Sequence, residues 1–104
     1  MTDSNQKTAS LVAAIWERNR GLVEERLALL DRAAAMAEAG TLSDELRKEA
    51  CGTAHKLAGS LGMYGFDEGT RIARAMEVLL GEDAPDAVLL GDLAIALRKA
   101  IPAK

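Results

Sequence analysis

One tryptophan, one tyrosine, one phenylalanine, one cysteine and one histidine are all that 104 residues hold of those types, with only two prolines. So few aromatics leave the core to Leu, Ala, Ile, Val and Met, residues that suit close-packed helices. A lone cysteine cannot close an internal disulfide, which fits a reducing compartment. No uninterrupted apolar run approaches the roughly 18 residues of a membrane span, and the polar start Met1-Thr2-Asp3-Ser4-Asn5-Gln6-Lys7 has no signal-peptide core. Nor is there a basic excess. Thirteen Lys and Arg against sixteen Asp and Glu give a net charge of −3, which argues against a nucleic-acid binder. Strand-like alternation, internal repeats, low-complexity segments and linkers are missing too. The chain reads as one soluble, cytoplasmic domain, long enough to bury about two-thirds of its extended surface.

What is present is helical periodicity. Residues 1–7 read as a flexible polar N-terminus and residues 8–104 as the domain, with Thr8 or Ser10 as candidate caps. Val12, Trp16, Asn19, Val23, Leu27, Leu30, Ala34 and Ala37 then recur at three and four. That phase survives Gly21, so it predicts one long helix or two nearly collinear ones bent near Asn19 to Gly21. Gly40 supplies the stop. Thr41 with Asp44, or Ser43 followed by Asp44 and Glu45, opens the next helix, which ends at Gly62. The short turn Gly62-Met63-Tyr64-Gly65 forces the third helix antiparallel to the second. Its expected buried face is Phe66, Gly69, Ile72, Ala73, Met76, Leu79 and Leu80, and Gly81 ends it. Asp83 or Ala84 is the expected cap of the last helix, with Pro85 in its first turn. Its stripe is Leu89, Leu90, Leu93, Ala96, Leu97 and Ala100, and Pro102 closes it. Met36, Met63 and Met76 read as gap-fillers. The sum is all-α: an antiparallel up-and-down four-helix bundle with a helical N-terminal extension.

The second helix carries the only histidine. At about 100° per residue, Leu42, Leu46, Ala50, Ala54, Leu57 and Leu61 align on one side, and His55 points away from them. Steps of three and four either way and of seven forward from His55 give Cys51, Gly52, Ala58, Gly59 and Gly62, all small. A mid-helix glycine costs about 1 kcal/mol relative to alanine, so helix formation does not explain Gly52 and Gly59. A bare patch that lets another protein's backbone approach the imidazole does.

His55-Lys56-Leu57-Ala58-Gly59, preceded by Ala54 and followed by Ser60-Leu61-Gly62 and Gly65-Phe66, resembles the H-x-L-K-G signature of the histidine phosphotransfer (HPt) family. The likeness extends through Glu68-Gly69-Thr70-Arg71-Ile72-Ala73-Arg74 to Glu77-Val78-Leu79-Leu80, and back to Trp16-Glu17-Arg18 and Glu25 to Leu30. In one place the pattern departs: the family's lysine is Ala58 here, and a lysine stands instead at Lys56, about a quarter-turn round the helix. The resemblance implies a monomeric phosphocarrier rather than an enzyme. His55 would take a phosphoryl group from a receiver-domain aspartate or hybrid histidine kinase and pass it to another receiver.

Residue chemistry is compatible with that role. An unperturbed imidazole is mostly neutral above pH 7 and can act as a nucleophile by exposure alone. Phosphoryl transfer needs in-line geometry and charge neutralisation more than covalent help. With only Glu49, Asp67 and Glu68 near the histidine's face, no metal or other cofactor is expected on this chain, and Mg²⁺ is expected on the partner receiver. Lys56 and Gly59 are the supporting residues; Cys51, Gly52, Ala58, Gly62, Lys48, Arg71 and Arg74 are candidates for partner docking, the cations by meeting an acidic rim. Cys51 and His55 alone cannot close a zinc site; small-residue packing is the simpler reading of the cysteine. A second function stands beside the first: a non-phosphorylated HPt-like adaptor that binds through the small-residue face, an alternative raised by Ala58.

Overall fold

A computed structural model describes the backbone of residues 2–102 and the side chains of residues 6–102. It contains four helices in chain order, α1 Thr2–Glu38, α2 Asp44–Met63, α3 Asp67–Leu80 and α4 Ala87–Lys99, with no strand among the described residues. Each helix packs against two neighbours. α2 lies between α1 and α3, and α4 closes the ring against α1 and α3, so α2 and α4 are diagonal. This is the all-α bundle that the periodicity predicts.

The long first phase is a single helix without a break at Gly21. Helical backbone also runs back through residues 2–7, so Thr8 and Ser10 lie inside α1 rather than at its start. Gln6 and Lys7 are good helix formers, and no stop signal separates them from the apolar repeat. Met1 of the expected tail and the last two residues of the expected domain lie outside the described residues. Gly40, at φ +75°, takes the left-handed conformation that ends the helix without a Cβ clash. Thr41 turns back, its hydroxyl donating to the Met36 carbonyl, and Ser43 caps α2 by accepting from the Leu46 amide at 3.1 Å.

α2 runs one residue past Gly62, to Met63, and Gly65 at φ +82° makes the turn into α3. At α4 the cap is Asp86, which accepts from the Leu89 amide at 3.1 Å, rather than Asp83 or Ala84. Pro85 therefore lies in the extended approach to the helix and not in its first turn. Placing α4 there buries Leu90, Ala94 and Leu97, while Leu89, expected in the stripe, is 47% exposed. Of the three methionines expected as gap-fillers, only Met76 is buried; Met36 and Met63 are exposed.

The core is built from Trp16, Val23, Leu27, Leu30, Leu57, Leu61, Met76, Leu80, Leu90, Leu97 and Ile101, among others. The three aromatics gather at the α2–α3 turn, with Trp16 edge-on to Tyr64 and Phe66 at centroid distances of 5.3 and 5.0 Å. Between α1 and α4, Arg98 binds Asp31 at 2.6 Å and Glu24 at 3.1 Å. Hydrogen bonds to Glu24 and then Asp31 raise its pKa further.

Candidate functional site

α2 is amphipathic in the way its sequence predicts. Ala50, Ala54, Leu57 and Leu61 are fully buried, and the His55 side chain, on the opposite flank, is 71% exposed. Burial of that stripe fixes the helix's rotation, and rotation fixes where the imidazole emerges. It emerges beside α3, where Nδ1 lies 2.8 Å from Oε2 of Glu77. A carboxylate only accepts hydrogen bonds, so this contact places a ring hydrogen on Nδ1; in the neutral form of the ring the lone pair is then on Nε2.

Three side-chain-to-backbone hydrogen bonds set the register of α3 along α2. The Arg47 guanidinium donates to the Leu80 carbonyl at 2.9 Å, the Cys51 thiol to the Glu77 carbonyl at 3.3 Å, and the Thr70 hydroxyl to the Ala58 carbonyl at 3.1 Å. The first of these is buried and caps the last turn of α3. Glu77 is thus held against His55 through its own backbone. Sequence reading passed over Glu77 as part of a helix end. A signal was there: reflecting His55 through the Tyr64 turn reaches residue 73, one helical turn from Glu77.

The expected docking face is smaller than the sequence suggests. Ala58 is 2% exposed, buried under α3 with Thr70 on its carbonyl, so it is not part of a presented surface. The reason is rotation: it sits about 60° round the helix from His55, on the flank that α3 covers. Cys51 is half-buried with its thiol turned to α3, which supports packing as its role. Gly52 and Gly59 are exposed, and a Cβ at either would meet nothing within 4 Å. Gly62 is exposed at the seam, where a Cβ would lie 3.4 Å from the Thr70 hydroxyl.

Lys48, Lys56 and Arg74 are exposed and form no ion pair or hydrogen bond with another described side chain, whereas Arg71 is tied to Glu68. A further cation approaches from α1: the Arg26 guanidinium reaches the Ser60 hydroxyl at 3.4 Å, and Ser60 in turn donates to the Lys56 carbonyl. No group of three or more His, Cys, Asp or Glu side chains suited to a metal ion occurs among the described residues. No described helix is long and apolar enough to cross a membrane.

The geometry is that of a solvent-facing imidazole on a helical bundle, oriented by a carboxylate and flanked by glycines and cations. The family model of the Hpt domain matches residues 15–103, and the chain belongs to that family. Hpt domains are phosphocarriers of two-component phosphorelays, working with receiver domains and histidine kinases. Among curated proteins, the chain is similar to Protein RcaC of Microchaete diplosiphon, with 29% identity over 80 residues. The match covers 77% of this chain and 12% of RcaC, so the chain spans a small part of that relative's length. No solved structure gives a significant match.

Proposed function

We propose that His55 is the phosphoacceptor and that the chain carries a phosphoryl group from one receiver aspartate to another. The observation that carries this reading is the Nδ1 contact with Glu77, which leaves Nε2 as the free nucleophile on an exposed face. In the accepting step, the Nε2 lone pair forms the N–P bond as the P–O bond of the aspartyl phosphate breaks. The bonding pair leaves with the aspartate carboxylate. The Nδ1 hydrogen stays on the ring, and the positive charge that develops there is stabilised by the adjacent Glu77 carboxylate. Reversal of the same step delivers the group to the next receiver.

Mg²⁺ and the remaining in-line machinery belong to the receiver in this reading, and the chain is a carrier with no turnover of its own. Gly52 and Gly59 admit the receiver's backbone; Lys48, Lys56 and Arg74 meet its acidic rim.

The test is intact mass after incubation with a phosphorylated receiver, or with phosphoramidate and Mg²⁺, beside a His55→Gln control and with a brief acid treatment. One acid-labile phosphoryl adduct, absent from the control, is expected. No adduct from several donors on a folded protein would favour the adaptor reading instead.

A further inference from the structure

A phosphohistidine brings close to two negative charges to the site, and Glu77 already supplies another beside the same ring. The ring cation answers Glu77, and the phosphoryl charge calls for a cation of its own. The position where the family carries a lysine is Ala58, which is buried beneath α3, so any offsetting charge comes from elsewhere. The geometry points to Arg74 as the cation that binds the phosphoryl group, taking from α3 the role that the missing lysine would fill from α2. This inference rests on His55 being the acceptor.

Two contacts place Arg74 along the seam. Glu77 is level with His55, and Thr70 is level with Ala58. Arg74 lies between them on α3, three residues from one and four from the other, hence level with the step from His55 to Ala58. It is about 60° round α3 from Glu77, toward solvent on the same flank. A guanidinium there can reach over the seam to the outer edge of the imidazole, where Nε2 lies. Arg74 is also uncommitted, with no ion pair among the described residues. Arg71, about 120° round from Glu77, points farther away and is already paired with Glu68. Lys48 is in line with His55 but two helical turns down α2, roughly 10 Å along the axis. Lys56 is on the α1 flank. A planar guanidinium also suits bidentate contact with phosphoryl oxygens.

The experiment compares wild type with Arg74→Ala, Arg74→Lys, Arg71→Ala and His55→Gln, using phosphoramidate so that no protein partner contributes charge. Two rates are read by intact mass: formation of the adduct and its spontaneous loss. Arg74→Ala is expected to slow formation about tenfold, the low end for a charge-assisted hydrogen bond at an exposed site. Its residual rate should also depend less on salt than the wild-type rate. Arg74→Lys should recover part of the loss, and Arg71→Ala should stay within about twofold of wild type. An Arg74→Ala rate within twofold of wild type, or an equal loss in Arg71→Ala, overturns the assignment while leaving His55 as acceptor. An adduct that persists in His55→Gln would instead overturn the acceptor reading.

Discussion

Gly59→Leu separates what the helix wants from what the surface is for. Gly59 is exposed in the interior of α2, one turn beyond His55, and a Cβ there would touch nothing within 4 Å. Replacing it by leucine therefore removes a helix-interior glycine without creating a clash. The propensity scale gives a gain of about 0.7 kcal/mol, which for a domain of this size raises Tm by roughly 3–5 °C. The same side chain stands on the surface that a receiver must approach, and a misplacement of about 1 Å in a reacting geometry can cost about 100-fold. Transfer from a phosphorylated receiver should accordingly slow at least tenfold, while phosphorylation by phosphoramidate stays within about twofold. Thermal unfolding by circular dichroism and intact-mass kinetics with the two donors are the assays. Full-rate transfer from the receiver by a well-folded Gly59→Leu protein would refute the close-approach explanation of the bare face. Equal losses with both donors would show that leucine disturbs His55 itself.

Other perturbations address the packing beneath the site. Glu77→Ala should lower the fraction of imidazole carrying hydrogen on Nδ1, read from ¹⁵N ring shifts, and slow phosphoramidate labelling about fivefold, since a partly exposed hydrogen bond is worth about 1 kcal/mol; unchanged ring shifts would remove its orienting role. Arg47→Ala should cost about 2 kcal/mol in urea unfolding, through loss of its buried stem and its bond to Leu80. Arg47→Met should cost about half as much, because the carboxylates near Arg47, Asp44 and Asp83, are exposed and stay solvated without it. Leu57→Ala, at a fully buried position two residues from His55, should lose about 3 kcal/mol; a loss below 1 kcal/mol would mean that the core is looser than its burial implies.

Helix order, the buried stripes of α2 and α3 and the outward direction of His55 were legible because each depends on one helix's periodicity. The stop at Gly40 and a cap at Thr41 or Ser43 were legible for the same reason: their chemistry is local, and the structure chooses Ser43. Ala58 and Glu77 were not, since their places depend on where a second helix lies. Periodicity groups Ala58 with the small residues around His55, and only the position of α3 decides that it is covered. Glu77 meets His55 across 22 residues, through a register set by Arg47, Cys51 and Thr70, none of which announces a cross-helix bond in sequence. The cap of α4 was misplaced for a smaller reason: three acidic residues, Glu82, Asp83 and Asp86, surround Pro85, and the choice among them turns on which carboxylate reaches a free amide.

α1 has a consequence that follows from its length alone. Its 37 residues extend about 55 Å, close to the 53 Å long axis of the whole molecule, whereas the 20 residues of α2 cover about 30 Å. The aromatic cluster at Trp16 marks where the bundle ends, and the helix continues for some fourteen residues beyond it. A segment of that length is marginal as an isolated helix in water, but extending an existing helix avoids the nucleation step. Two regimes of amide exchange thus meet along one rod. From Trp16 to Glu38 opening requires breaking the core, and toward Thr2 it requires only unwinding turn by turn, so protection falls as a gradient from an anchored base.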